Sequence, residues 1–320
     1  MSLHFLISLD ITLPPGVYVP TTCLFTPTDT IDTTATETHA QRLAHAQIAG
    51  LVVQGSNGEA IHLDRQERSL VTRTTREALN ALHLQHVPLI VGCDSQSTRE
   101  TLILCRDAAA DGGSHALVLP PSYYRSLLTT ESIVRFYTDV ADESPIPLVV
   151  YNFPSVCGGL DLDSDTILTL ARHPNIVGVK LTCGNTGKLA RIVAGCDDDF
   201  RVLAGSADFI VQALSVGGHG VVAGLANLVP RTCVELIRLC NNGRVKEARE
   251  LQAVVAAADW VAIRGGFVSV KAALQRYHGY GGRPREPCVL PVGEALEEQM
   301  EGFAEVVRFE GELMAAGGGR

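Results

Sequence analysis

Asn175-Ile176-Val177-Gly178-Val179-Lys180-Leu181-Thr182 is the stretch on which the fold turns. A run of β-branched apolar residues ends in a lysine. Lysine is depleted in strands and is rarely buried without a partner. The apolar residues before it read as a strand covered on both faces, the mark of a parallel sheet in an α/β protein. The stretch therefore places Lys180 at the carboxyl end of a barrel strand with its amine aimed into a pocket. The plain alternative is a lysine that ends a strand and reaches out to water.

Outward from this strand, apolar runs alternate with amphipathic ones. Strands are expected over 16–25, 50–55, 88–92, 115–119, 147–151, 175–180, 201–204 and 220–223. Helices are expected between them, over 31–49, 64–82, 98–110, 130–141, 163–171, 185–194 and 206–215. Asp64 with Glu67 three residues on forms a capping box. Eight strand–helix units are the count of a (β/α)8 TIM barrel. An open doubly wound sheet would normally carry fewer strands, and no G-x-G-x-x-G opens a helix. From Leu228 the strands stop, and helices are expected over 230–240, 245–262, 267–275 and 291–314. The division is thus a catalytic barrel over 1–227 and a C-terminal helical extension over 228–320 packed on it.

Composition narrows the class. Of 320 residues, 46% are apolar and 19% charged, which describes a globular chain with a substantial core. The net charge is −9 with no basic stripe, so no nucleic-acid partner is expected. The nine cysteines are scattered without a C-x-x-C pair, which suggests free thiols in a cytoplasmic protein. The run Leu3–Ile7 lacks the basic flank and length of a signal peptide. No run of about 18 apolar residues is evident, so no membrane partner is expected. No metal-binding spacing such as H-E-x-x-H occurs, and neither a metal nor a cofactor is expected.

In such a barrel the site is built at the carboxyl ends of the strands. Those ends present Ser56 and Asn57 in a glycine-flanked turn, Tyr123 and Tyr124 after the fourth strand, and Tyr151 after the fifth. They also present Lys180 after the sixth, Gly205 and Ser206 after the seventh, and Val222–Gly224 after the eighth. A lysine and several hydroxyls on one rim suit carbonyl chemistry through an imine. Desolvation at an apolar strand end favours the neutral, nucleophilic form of a lysine. Tyr151 is the candidate base and proton shuttle, helped by Ser56 and Tyr124. The backbone N–H groups of Gly55–Gly58 suit a substrate carboxylate. Asp197, Asp198 and Asp199 lie in the loop entering the seventh strand, at the wrong end of the barrel for catalysis.

Four motifs in register carry a family resemblance: Gly55-Ser56-Asn57-Gly58-Glu59, Pro121-Ser122-Tyr123-Tyr124, Tyr151-Asn152-Phe153-Pro154 and Ile176-Val177-Gly178-Val179-Lys180. With these the chain resembles the dihydrodipicolinate synthase / N-acetylneuraminate lyase family of Schiff-base aldolases. The resemblance implies that Lys180 forms the imine, that Tyr151 relays protons, and that Ser56 and Tyr124 complete the relay. It implies that Ser56 and Asn57 hold the keto-acid carboxylate and that Val222 turns a backbone carbonyl toward the site. Gly205 and Ser206 fall among the substrate-binding positions. It also implies a small 2-keto acid as substrate and a homo-oligomer, tetramer or dimer, in which Tyr124 or Tyr123 reaches a neighbouring site.

Val156 stands where the lysine-biosynthetic synthases carry an arginine for the carboxylate of aspartate semialdehyde. Valine cannot pair with that group, so synthase activity is not the first expectation. The sialic-acid lyase pattern after the seventh strand is also imperfect, with Ala207 and Asp208 there. The stretches 54–59 and 173–178 resemble the 4-hydroxy-2-oxoglutarate aldolase branch. The run 180–189 is similar to fungal 2-keto-3-deoxy-L-galactonate aldolases. The expected reaction is retro-aldol cleavage of a 2-keto-3-deoxy sugar acid, or of 4-hydroxy-2-oxoglutarate, to pyruvate and an aldehyde. The competing readings are a dihydrodipicolinate synthase, a Schiff-base dehydratase and a ligand-binding scaffold on the same barrel.

Overall fold

The computed structural model describes residues 12–317. The apolar run at 3–7 and residues 318–320 lie outside the described residues. The strands are β1 (Gly16–Pro20), β2 (Gly50–Val53), β3 (Leu89–Gly92) and β4 (His115–Val118). They continue as β5 (Leu148–Asn152), β6 (Ile176–Leu181), β7 (Arg201–Ala204) and β8 (Gly220–Val222). Each pairs in parallel with the next, and β8 returns to β1, so the sheet closes into a barrel in sequence order.

The helices α1 (Thr33–Ala44), α2 (Arg65–Ala81), α3 (Thr98–Ala110) and α4 (Thr130–Glu143) follow the first four strands. Next come α5 (Ser164–Leu170), α6 (Thr186–Gly195), α7 (Ile210–Ser215) and α8 (Pro230–Asn241). The chain dictates where the first six begin. Asp32, Asp64, Ser97, Thr129, Asp163 and Asn185 each accept a backbone N–H of the first turn. Val17, Val19, Leu51 and Val53 point to the layer between strands and helices. Tyr18, Val52, Ile90, Leu117, Val149, Leu203 and Val222 alternate with such residues and fill the barrel interior, with Leu13 among them.

Three expectations shift. The first strand ends at Pro20 rather than Phe25; Thr21 still donates to Val52 O, and then the chain leaves the ladder to bridge Phe25 to Ile31. The helix expected from Ser206 starts as a short 3₁₀ turn, Ala207–Phe209, before α7. The helices expected over 245–262 and 267–275 join into α9 (Val245–His278), with one non-helical residue, Gly266, at φ 65°. Only glycine takes that conformation at little cost, so the joint is a kink rather than a break. The last helix is α10 (Gly293–Gly317).

Helix α8 packs on β1 and α7 as well as on α9 and α10, linking barrel and extension. By length and hydropathy α9 is the one described helix that would suit a membrane span. It instead packs against α8, α10 and the rim turns, and it buries Asp259 and Lys271.

Candidate active site

Strand β6 does more than end in a lysine. Its ladder with β5 slips by one residue: Leu148 faces Ile176, but Val149 faces Gly178. Val177 packs in the barrel interior while Ile176, Val179 and Leu181 pack in the outer layer. The extra residue at Val177 resets the alternation, so that Gly178 and then Lys180 face inward beside Val149 and Tyr151. Without the bulge, a strict two-residue period from Val177 would put Val179 and Leu181 inside and turn Lys180 toward the helices.

Tyr151 and Lys180 are partners across that ladder. Both are nearly fully buried, and the Lys180 amine stands 3.9 Å from the centroid of the Tyr151 ring. Phe153 stacks on the Tyr151 ring, with centroids 5.7 Å apart. Among the described ion pairs Lys180 takes part in none, in contrast to the other two buried lysines, Lys188 and Lys271. The amine therefore rests on an aromatic face with little exposure to solvent, which suits attack on a carbonyl carbon.

The turn after β2 runs Gly55-Ser56-Asn57-Gly58-Glu59, with a short 3₁₀ helix over Ser56–Gly58. Ser56 and Asn57 open that helix, so their N–H groups face forward with no acceptor inside it. Ser56 is exposed, and the Asn57 side chain lies against Gly224, beyond β8. Gln54 and Glu59, at φ 57° and 52°, hold left-handed conformations that side chains disfavour. Both are held from behind. Gln54 donates to Arg68 O and Thr72 Oγ1. Glu59 accepts the Lys271 amine at 2.7 Å and the Arg285 N–H at 3.0 Å. Lys271 also donates to Cys23 O at 2.9 Å and is fully buried; burial draws its amine down while Glu59 holds it up. The C-terminal extension thus braces the turn proposed to hold a carboxylate.

Tyr123 and Tyr124 lie on an exposed rim loop, edge to face with centroids 5.0 Å apart. The Gln96 side-chain oxygen, Oε1, accepts from both Ser122 N and Tyr123 N at 2.8 Å and fixes the loop's start. Among the described residues of one chain, no hydrogen bond or ring contact joins Tyr124 to Tyr151. Asn152 donates to Asp161, which also holds the Lys188 amine, and accepts from Leu162 N; this pins the loop that carries Val156. Val156 is half exposed. Val222 ends β8 with its side chain in the interior. The Ser206 hydroxyl is donated to Asp259 of α9 at 2.5 Å, so its proton serves the joint with the extension.

One rim group escaped the sequence reading. Thr182 follows Lys180 by two residues, the same-face spacing, and its hydroxyl is buried with no hydrogen-bond partner among the described residues. A Cβ on Gly205 would lie 2.1 Å from that oxygen, so glycine there makes room for it. The two-residue period, carried past the end of β6, is the signal that would have found it.

The dihydrodipicolinate synthetase family model matches residues 14–309, nearly the whole described chain. The chain belongs to this family. Among curated members, a probable mitochondrial 4-hydroxy-2-oxoglutarate aldolase of Emericella nidulans is 54% identical over 301 residues, 94% of this chain and 97% of that protein. An L-threo-3-deoxy-hexylosonate aldolase of Hypocrea jecorina is 45% identical, covering 90% of this chain and 97% of its own. The solved structure of a dihydrodipicolinate synthase family protein from Coccidioides immitis is 37% identical, with a TM-score of 0.86 over 94% of this chain and 98% of that one. These likenesses place the family's barrel and C-terminal helices on the elements described above.

Proposed function

We propose that this member of the family is a Schiff-base aldolase that cleaves a 2-keto-3-deoxy acid to pyruvate and an aldehyde. The observation that carries the reading is the unpaired Lys180 amine held over Tyr151 at the barrel mouth. The names of the curated relatives, both aldolases, support it.

In this reading the keto-acid carboxylate lies against the Ser56 and Asn57 amides. Lys180 Nζ attacks C2 and, with loss of water, forms a protonated imine. The C4 hydroxyl gives its proton to the Tyr151 oxygen as the phenol passes its own proton on along the hydroxyl relay, the C3–C4 bond breaks, and its electron pair moves into the imine. The aldehyde leaves. The enamine takes a proton at C3 and water hydrolyses the resulting imine, freeing pyruvate and Lys180. Thr182, Gly205 and Val222 line the remaining rim. Tyr124 joins the relay from a neighbouring copy: with Tyr123 and Leu127 it forms an exposed apolar rim, which supports a homo-oligomer. The cell compartment is proposed as the cytoplasm, with the mitochondrion as the alternative carried by the first relative's name.

Two assays test the reading. Incubation with pyruvate and borohydride should add a mass at Lys180 and nowhere else. Pyruvate release, measured across a 2-keto-3-deoxy-hexonate, 4-hydroxy-2-oxoglutarate and N-acetylneuraminate, should occur with at least one of the first two and fall below a thousandth in Lys180→Ala. A semialdehyde product without pyruvate would assign a dehydratase instead.

A further inference from the structure

The far end of the substrate must also be recognised, and one rim carboxylate is free to do it. In β3, Leu89 and Val91 pack in the outer layer and Ile90 in the interior. The ladder runs one residue beyond the strand, Cys93 N donating to Leu117 O at 2.9 Å. Cys93 faces outward, its thiol against Cys105 of α3. The alternation therefore turns Asp94 inward at the mouth, on the rim that bears Lys180.

Asp94 is half buried, and the hydrogen bond recorded for its carboxyl comes from its own N–H. Arg68 and Lys180 act on it only through space. The Arg68 guanidinium is bound to Gly92 O at 3.2 Å and Ala60 O at 2.7 Å, and Lys188 is held by Asp161. Burial pushes the carboxyl up and the two cations pull it back, so it meets any second anion already short of solvent. Val156, on the loop after β5, adds no charge.

We propose that Asp94 selects the substrate's far end, accepting hydrogen bonds from the hydroxyls of a polyol tail and repelling a second carboxylate. Charge-assisted acceptance of hydroxyls is strong, and repulsion of the wrong partner is how a site discriminates. This rests on the aldolase reading and sharpens it: a 2-keto-3-deoxy-hexonate is the substrate, and the five-carbon dicarboxylate 4-hydroxy-2-oxoglutarate is a poor one.

The test compares kcat/KM for these two acids, followed by pyruvate release, in the wild type and in Asp94→Asn and Asp94→Ser. The wild type should favour the hexonate by at least about tenfold. Both variants should narrow that ratio by about tenfold or more, losing the hexonate and gaining the dicarboxylate. Equal wild-type rates, or a ratio that stays within twofold in a variant that still forms the borohydride-trapped pyruvate adduct, would overturn the proposal while leaving the aldolase in place. Absence of pyruvate from both acids in the wild type would instead overturn the aldolase reading and this inference with it. The wild-type comparison stands even if neither variant folds.

Discussion

Lys180 and Tyr151 face each other across the β5–β6 ladder, with the amine 3.9 Å from the centre of the phenol ring. The ring thus does two separable things: its face supports the amine, and its hydroxyl is the proposed proton relay. Tyr151→Phe keeps the first and removes the second. Turnover should fall about 10²–10⁴-fold, while the yield of borohydride-trapped pyruvate adduct stays near that of the wild type. Wild-type turnover would take Tyr151 out of the relay.

Thr182 has a buried hydroxyl without a hydrogen-bond partner among the described residues. Leaving such a group unsatisfied costs about 1–3 kcal/mol, which a bound substrate would relieve. Thr182→Val keeps the shape. The variant should melt no lower than the wild type, yet lose about 10- to 100-fold in kcat/KM. Unchanged kinetics would show that the hydroxyl does not meet substrate.

Lys271 and Glu59 form an ion pair with both side chains fully buried. Removing one partner strands the other charge, at a cost of about 3–5 kcal/mol. Lys271→Met should lower the unfolding free energy by that order in denaturant titration, and adding Glu59→Gln should restore part of it. Because the pair braces the Gly55–Glu59 turn, KM for the keto acid should rise more than kcat falls. A loss confined to kcat would break the link between brace and carboxylate site.

Asp259 is buried on α9 and accepts from Ser206 and Asp208 N; burial, aided by the Asp208 charge, pushes its carboxyl from the ordinary 3.8 to about 6. The folded state therefore holds this proton to higher pH than the unfolded chain. The resulting stabilisation is complete below pH 4 and is lost as pH rises toward 6, on the order of 3 kcal/mol. Asp259→Asn removes that ionisation. Its melting temperature at pH 7 should match or exceed that of the wild type, and the wild type's falling contribution between pH 4 and 6 should vanish from the difference curve. A variant much less stable at pH 7 would mean that the ionised form is the one the fold requires.

Much of this was legible in the chain because local signals agreed. Asp64 with Glu67, Asp163 and Asn185 mark helix starts by side-chain chemistry alone, and apolar runs of strand length separate those starts. Lys180 stood out because a lysine in such a run conflicts with its surroundings. Other features depend on relations that composition hides. The bulge at Val177 was invisible because Ile, Val, Gly and Val read alike in either phase of the alternation. Lys271 and Glu59 are 212 residues apart, and nothing local to either announces the other. Gly265 and Gly266 read as a break because their torsions, not their identity, decide whether a helix bends or stops. Nothing around Ser206 announces the Asp259 carboxylate that α9 brings beside it.

The slipped register in β6 carries a lesson for engineering. A designer who grafts this lysine onto another eight-stranded barrel by copying Lys180 and its rim neighbours would transplant the nucleophile without its aim. The spare residue at position 177 has to travel with it, or the grafted amine will emerge on the wrong side of the wall.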